Sequence, residues 1–301
     1  MSSRALPLLS SSPFRLARRW RGLLPSVMAR AMSGALAASV LLAGVLASGT
    51  ARAQAINLGQ IVQAELRPGW RTEQGTHMAA LHLRLAEGWK TYWRVPGEAG
   101  IPPRLDWSRS QNVGSVITHW PRPIVFDQNG FRSIGYDREL VLPLEFSPAN
   151  PARPMALQAQ ILIGVCRETC IPVDLSLSLA LRDAGGPDAL IVAALERRAR
   201  AASSAGLGQP TCQITPNERG AELLVRAPLP RLAREEHMVL ELPGSGYWVS
   251  DSETRREGEV LVARAQLRDP ARGPISLERS ALNLTILTPD HMLTHRGCTG
   301  G

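Results

Sequence analysis

Several signatures of common enzyme and binding-protein classes are missing from this chain of 301 residues. It has no phosphate-binding loop, no dinucleotide-binding fingerprint and no Ser/His/Asp order typical of a catalytic triad. Its six histidines show no paired spacing with cysteines or carboxylates, which argues against a zinc site. We therefore expect no cofactor and no metal.

Acidic residues are absent from the first 53 positions, which hold seven of the 34 basic residues. An apolar run at residues 34–48 is too short to remain in a bilayer, and the A-x-A cleavage signal Ala51-Arg52-Ala53 follows it. We interpret residues 1–53 as a secretory signal peptide, with an uncut membrane anchor as the alternative. No later apolar stretch reaches eighteen residues, so we expect a soluble protein that is exported to the periplasm.

Removal of this segment lowers the formal net charge from +8 to +1, because the segment contains no acidic residue. Arginine supplies nearly all of the remaining positive charge, and Lys90 is the only lysine. The chain has no basic stripe interleaved with aromatic residues, which is the usual footprint of a nucleic-acid surface. We expect no nucleic-acid partner.

Apolar and polar residues alternate with period 2 at residues 81–85, 140–144 and 173–179, which predicts strands with one buried face. Pro143 cannot donate to a ladder, which favours an edge strand or a bulge. The pattern predicts an all-β sandwich at residues 54–185. A helical period begins near Pro187, so residues 186–208 should form a helix and a linker, followed by a smaller β-rich domain at residues 209–301.

The four cysteines should pair, because an exported chain meets an oxidising compartment. Of the three possible connectivities, Cys166–Cys170 with Cys212–Cys298 is the simplest, since each pair then lies within one predicted domain. In the chain-entropy model the long loop stabilises the fold by roughly 4.5 kcal/mol and the short ring by roughly 2 kcal/mol. We interpret Cys212–Cys298 as a structural disulfide.

Cys166 and Cys170 are harder to explain as a structural crosslink, because the chain already holds them close. A short ring of this kind can be strained, which raises the reduction potential and eases exchange. Arg167 would favour a thiolate beside it, although Glu168 opposes that effect. From the residues alone three roles stay open: redox exchange, a structural bridge, and Cu(I) binding by the reduced thiols.

Three segments in a fixed order point to a family. They are GWKTYWRVPGEAGIPPRLDW (88–107), WPRPIVFDQNGFRSIGYDRELVLPLEF (120–146) and VCRETCIP (165–172). Together they resemble the N-terminal periplasmic domain of DsbD-type thiol:disulfide interchange proteins, especially the ScsB-like branch, over roughly residues 56–182. The resemblance implies an immunoglobulin-like sandwich that accepts electrons from a membrane-embedded partner and passes them to oxidised periplasmic proteins.

The resemblance also implies roles for individual residues. The family's cysteine pair corresponds to Cys166 and Cys170, with Cys170 as the attacking thiol and Cys166 as the resolving one. The family shields its disulfide with an aromatic cap on a neighbouring loop, which here would run from Phe126 to Tyr136. Phe131 is the better cap candidate and Phe126 the second, with an ordinary core or turn position as the alternative for Phe131.

Four other aromatic residues lie close together in the sequence. Such dense aromatics in a small β domain usually fill its core, and a partner-binding edge is the alternative. They are Trp89, Tyr92, Trp93 and Trp107.

Relatives of this family continue into a membrane domain and a thioredoxin-like domain, whereas this sequence ends at Gly301. We therefore expect a separate membrane thiol donor of the DsbD or CcdA type, with oxidised periplasmic proteins as clients and protein-disulfide reduction as the activity. Two rival hypotheses are a copper-handling or client-binding module without redox turnover, and an adhesion-type sandwich whose bridges are all structural.

Overall fold

The computed structural model describes residues 58–181 and 185–301, so the predicted signal peptide at residues 1–53 lies outside the described residues. The described residues belong to one compact unit, residues 57–301. Within them, β-strands dominate, with a single α-helix and 3-10 turns at Leu58–Gln60, Ala202–Ala205 and Arg279–Ala281. None of the helices in these two ranges is long and apolar enough to cross a membrane.

Two antiparallel sheets form what we call the first sandwich, residues 58–181. Its strands are β1 (Val62–Arg71), β2 (His77–Leu85), β3 (Lys90–Gly97), β4 (Arg104–Asp106), β5 (Val113–Thr118), β6 (Ile124–Gln128), β7 (Phe131–Asp137), β8 (Glu139–Pro148), β9 (Ala156–Cys166) and β10 (Cys170–Ala180). Sheet one has the order β1-β2-β8-β5 and sheet two β10-β9-β3-β7-β6, with β4 also paired to β9. Leu81 and Leu142 of sheet one share a core with Trp93 and Ile163 of sheet two.

Two further sheets form the second sandwich, residues 200–301. Its strands are β11 (Arg200–Ala201), β12 (Thr211–Asn217), β13 (Gly220–Pro228), β14 (His237–Glu241), β15 (Trp248–Val249), β16 (Glu253–Glu257), β17 (Val260–Arg268), β18 (Asn283–Leu287), β19 (Met292–Arg296) and β20 (Thr299–Gly300). Sheet three has the order β11-β19-β18-β14, and sheet four β15-β17-β13-β12-β20 with β16 paired to β17. Met238 and Leu240 of sheet three pack with Leu223 and Val225 of sheet four.

The two sandwiches pack against each other through sheet three. Because side chains alternate along a strand, Met238 and Leu240 of β14 enter the second core while Val239 points the other way. Val239 joins Leu287 and Met292 in the core cluster of the first sandwich. The interface therefore has an apolar centre continuous with the first core.

Helix α1 (Ala189–Glu196) covers the outer face of sheet one. Its buried residues Ile191 and Ala194 pack against Met78, Ala80 and Val141, so β2 is buried on both faces. The helix ends earlier than its apolar period suggests, because Arg200–Ala201 pairs with β19 instead. The predicted all-β, immunoglobulin-like fold class with one helix is confirmed, and the exact domain boundaries stay a prediction.

Candidate redox site

The pair Cys166 and Cys170 lies at the tip of the long β9–β10 hairpin. Strand β9 ends at Cys166, strand β10 begins at Cys170, and the two residues stand directly opposite each other in the register. Arg167, Glu168 and Thr169 make the connection, with the Arg167 N–H donating to the Thr169 carbonyl at 3.3 Å. Their Cα atoms are 4.1 Å apart and their sulfurs form a disulfide. Antiparallel pairing therefore brings the two thiols together without any further element.

The two cysteines differ in burial. Cys166 is 1% exposed, whereas Cys170 is partly exposed. An external thiol can therefore approach Cys170 more readily than Cys166. This asymmetry could not be read from the sequence, because both cysteines flank the same short loop.

A buried tyrosine hydroxyl lies against both sulfurs. The Tyr92 oxygen is 2.8 Å from the Cys166 Sγ and 3.2 Å from the Cys170 Sγ. It is also 3.1 Å from the Oε1 of Gln128. Burial raises the pKa of Tyr92 above its ordinary value, and the hydrogen bond with Gln128 offsets part of that shift. The phenol is therefore protonated at neutral pH and can donate a hydrogen bond to sulfur.

Two glycines leave room for the Tyr92 ring. A Cβ atom on Gly164 of β9 would lie 3.1 Å from the Cδ2 atom of the ring and 2.7 Å from the Cβ of Ile101. A Cβ on Gly100 would lie 2.6 Å from the Cδ1 atom on the ring's other edge. A side chain at either position would therefore have to displace the ring or its neighbours Ile101 and Pro96.

The predicted cap residues lie on the β6–β7 hairpin, residues 124–137, which we call the cap hairpin. Its turn, Asn129-Gly130, has positive φ at both residues, as a two-residue hairpin turn requires. The Nε2 of Gln128 lies 3.6 Å from the Cys170 Sγ, at the outer limit for a bond to sulfur. Among the described residues, Tyr92 and Gln128 are the side chains with hydrogen-bond contacts to this disulfide.

The three aromatic candidates occupy different environments. Phe131 stands opposite Gln128 in the register and is 54% exposed, at the tip of the cap hairpin. The ring of Phe126 lies under the ammonium of Lys90, 5.2 Å from the Nζ to the ring centroid. Tyr136 is buried in the first core, where its hydroxyl donates to the Pro121 carbonyl at 2.8 Å. The cap role of these residues stays a prediction.

Two basic residues are neighbours of Cys166, one across the sheet and one along the chain. Lys90 on β3 stands directly opposite Cys166 on β9. Arg167, next to Cys166 in the chain, places its guanidinium 5.5 Å from the ring centroid of Trp89. Positive charge near a cysteine favours the thiolate form, which is the nucleophile in exchange.

The sequence predicts a core or edge position for Tyr92 and no role for Gln128. Tyr92 is indeed 1% exposed, but its hydroxyl faces the disulfide and not the core. Period 2 along β3 places Tyr92 on the face of Lys90, which is a usable signal once β3 is known to pair with β9. Gln128 directly precedes the Asn-Gly turn, a position that only the tertiary fold brings to the sulfur.

The second disulfide joins Cys212 of β12 to Cys298, which are 86 residues apart in sequence. Cys212 is fully buried in the core of the second sandwich, and β12 pairs in parallel with β20 just beyond Cys298. The bond therefore attaches the last strand to sheet four. Within residues 58–181 and 185–301 no group of three or more His, Cys, Asp or Glu side chains is arranged to hold a metal ion.

Comparisons with known proteins match the part of the chain that contains the cysteine pair. The family model of the thiol:disulfide interchange protein DsbD, N-terminal, matches residues 60–181. The crystal structure of the N-terminal periplasmic domain of ScsB from Proteus mirabilis superposes with a TM-score of 0.57 at 23% identity, covering 79% of this chain and 92% of that one. The crystal structure of the Neisseria meningitidis DsbD N-terminal domain in the reduced form has a TM-score of 0.28 at 18% identity. This match covers 43% of the present chain and 93% of the Neisseria chain. Comparison with curated proteins finds no match.

The first sandwich is a domain of a thiol:disulfide interchange family, and the cysteine pair lies in it. Residues 60–181 are, specifically, a DsbD-type N-terminal domain. The fold of the ScsB domain is shared over a larger part of the chain than those residues, so the likeness extends into the second sandwich.

Proposed function

We propose that the protein is an exported thiol:disulfide exchange protein that carries electrons from a separate membrane thiol donor to oxidised periplasmic proteins. The observation that carries the proposal is the disulfide at the tip of the β9–β10 hairpin, with Cys166 buried and Cys170 partly exposed. The family of the first sandwich supports thiol chemistry at this pair. The basic N-terminal segment and the periplasmic location of the ScsB domain support export.

Electron delivery to a client takes two exchange steps. The Cys170 thiolate attacks one sulfur of the client disulfide and expels the other client sulfur as a thiolate. The Cys166 thiolate then attacks the Cys170 Sγ, forms the Cys166–Cys170 bond and releases the first client sulfur. The client gains two electrons, its thiolates take protons from solvent, and the pair is left oxidised.

Reduction of the pair runs in the opposite direction. A thiolate of the membrane donor attacks the partly exposed Cys170 Sγ, and the Cys166 sulfur leaves as a thiolate. The Tyr92 hydroxyl, 2.8 Å from that sulfur, is placed to donate to the developing charge, and Lys90 lies opposite on β3. The second donor thiolate then attacks the Cys170–donor bond and frees Cys170.

Trapping with a defined disulfide tests the proposal. Reduced Cys166→Ala protein, mixed with oxidised glutathione, should accumulate a glutathione adduct at Cys170, because no resolving thiol remains. The Cys170→Ala variant should form far less adduct, because Cys166 is buried. Mass spectrometry of the intact protein counts the adducts.

The reduction potential gives a second measurement. Equilibration of the Cys166–Cys170 pair in glutathione buffers should give a reduction potential above about −300 mV. Inert structural bridges have potentials below that value. A lower potential together with no adduct in Cys166→Ala would leave only a structural role. Copper analysis of the reduced protein, with and without both cysteines, tests the Cu(I)-binding alternative.

A further inference from the structure

Arg132 links the cap hairpin to the second sandwich. Arg132, next to Phe131 on β7, extends its guanidinium out of the first sandwich. Its Nη1 donates to the Oδ2 of Asp251 at 3.0 Å and to the Ser252 carbonyl at 3.1 Å. The side chain of Asp251 is 5% exposed, so this carboxylate is largely removed from water.

The second sandwich holds Asp251 in a fixed position. The Nε2 of His237 on β14 lies 3.1 Å from the Oδ1 of Asp251. The hydroxyl of Ser252, the next residue, donates to the Met238 carbonyl of the same strand. Burial acts to raise the pKa of Asp251, but the hydrogen bonds and charges of His237 and Arg132 outweigh it and keep the pKa below its ordinary value. Asp251 is therefore a carboxylate at neutral pH, ready to bind the guanidinium.

The backbone of Arg132 connects this contact to the cover of the redox site. Its N–H donates to the Oε2 of Glu98 at 2.8 Å, and its carbonyl accepts from the Glu98 N–H at 2.9 Å. Glu98 directly follows β3 and begins the segment that contains Gly100 and Ile101. Gly100 lies beside the Tyr92 ring, and Ile101 lies beside Gly164. Arg132 therefore contacts the second sandwich through its side chain and the segment after β3 through its backbone.

Space for movement is present beside this contact. A cleft of about 550 Å³ lies between the cap hairpin and the second sandwich, lined by Ile124 and Val125 of β6 and by His237 and Leu287. Strand β6 is the edge of sheet two and pairs only with β7 among the described strands. Strand β7 is held by its pairing with β3 and by its buried residues Ile134 and Tyr136. The part of the hairpin without a second backbone partner is therefore β6 and the tip around Phe131, and there a side-chain anchor has a large share in holding it.

We propose that Arg132 and Asp251 are positioning residues through which the second sandwich holds the cap hairpin over the Cys166–Cys170 disulfide. This assignment gives the second sandwich a role in controlling access to the thiols, and its importance for exchange rests on the proposed function. Breaking the contact should increase the rate at which an external reductant reaches Cys170. The expected increase is about threefold to tenfold, the range for one partly buried ion pair.

The test measures reduction of the oxidised full chain by tris(2-carboxyethyl)phosphine, which needs no protein partner. Arg132→Gln and Asp251→Asn should each speed reduction of Cys166–Cys170, and the double variant should add little to either one. The matched control is Arg94→Gln, which breaks another ion pair between the sandwiches, with Glu241 at 2.8–2.9 Å. Arg94→Gln should leave the rate unchanged.

Reduction of Cys212–Cys298 in the same samples separates access from general unfolding. The proposal requires that only the Cys166–Cys170 rate rises, with faster amide exchange confined to residues 124–137. Equal rates in wild type and Arg132→Gln, or a parallel rise at both disulfides, would overturn it. If the glutathione adduct fails to form but this rate difference is found, the positioning stands and the exchange function falls.

Discussion

The hydroxyl of Tyr92 lies 2.8 Å from the Sγ of Cys166, the more buried cysteine of the hairpin disulfide. A hydrogen bond to a neutral disulfide sulfur is weak, whereas one to a thiolate is charge-assisted and stronger. The contact should therefore stabilise the reduced protein more than the oxidised protein. Tyr92 is thus a candidate determinant of the reduction potential.

Tyr92→Phe removes this hydrogen bond and keeps the ring. A bond to a charged group contributes about 1.5–3 kcal/mol, and about 1.4 kcal/mol corresponds to 30 mV for a two-electron couple. We expect the potential of Cys166–Cys170 to become about 30 mV more negative, measured by equilibration with glutathione. Tyr247→Phe, which removes a hydroxyl bonded to the Ser276 carbonyl in the second sandwich, should not change it. An unchanged potential in Tyr92→Phe would show that the hydroxyl does not stabilise the thiolate.

Gly164→Ala tests the space that the Tyr92 ring requires. The added methyl would lie 2.7 Å from Ile101 and 3.1 Å from the ring, so one of them has to move. Overpacking of this kind typically lowers the free energy of unfolding by about 1–3 kcal/mol. We expect this loss in urea denaturation, together with a shift in potential in the same direction as for Tyr92→Phe. Gly186→Ala, at an exposed position with no neighbouring atom within 4 Å, is the matched control and should change neither quantity.

The two disulfides should differ in their effect on stability. Loss of the Cys212–Cys298 bond opens a loop that spans 86 positions, and its chain-entropy contribution is about 4.5 kcal/mol. Loss of Cys166–Cys170 releases a ring of five residues, worth about 2 kcal/mol. We expect Cys212→Ala/Cys298→Ala to lower the melting temperature more than Cys166→Ala/Cys170→Ala. The reverse order, measured by calorimetry, would assign the main structural role to the hairpin disulfide.

Asp188 should make stability depend on pH. Its Oδ1 caps helix α1 by accepting from the N–H groups of Leu190 and Ile191, and its Oδ2 binds Arg67 at 2.6 Å. Burial acts to raise the pKa of Asp188, but the bonds from Arg67 and the helix N–H groups outweigh it and hold the pKa below its ordinary value. A lowered folded-state pKa gives stability that is complete above the unfolded-state pKa and is lost as the pH falls through the folded-state value.

Asp188→Asn keeps a capping oxygen and removes the charge. At pH 7 its free energy of unfolding should be about 1 kcal/mol below that of the wild type, and the difference should shrink below about pH 4, where the unfolded carboxylate takes up its proton. Asp188→Ala also loses the cap, so it should remain about 1 kcal/mol less stable than Asp188→Asn at both pH values. Urea denaturation at pH 7 and pH 3 measures both differences. A gap between wild type and Asp188→Asn that does not change with pH would contradict the charge argument.

Alternation in the sequence predicted several strands correctly, because one-sided burial leaves a period of two. Residues 173–179 lie in β10, where buried or half-buried residues alternate with exposed ones. Pro143 was wrongly assigned to an edge or bulge, since it lies in β8, between β2 and β5. Its missing N–H is tolerated because β5 pairing stops at Thr118 opposite Leu144, and His119 N–H donates to the Pro143 carbonyl at 2.9 Å.

The parts of the candidate site that lie within one hairpin were accessible from sequence, and the parts that depend on other elements were not. The pairing of Cys166 with Cys170 follows from their spacing between two strands. The contacts of Tyr92 and Gln128 depend on how β3 and β6 are ordered in sheet two, which no local pattern specifies. For the same reason the link from Arg132 to Asp251, 119 positions apart, has no trace in the sequence.

Val239, Leu287 and Met292 come from the second sandwich but are buried in the hydrophobic cluster of the first. Any fragment truncated near residue 181 would leave the surface that they cover open to water, and an exposed apolar patch of that kind promotes self-association. Measurements on a fragment that ends near residue 181 would therefore describe a molecule that self-associates more and is less stable than the full chain.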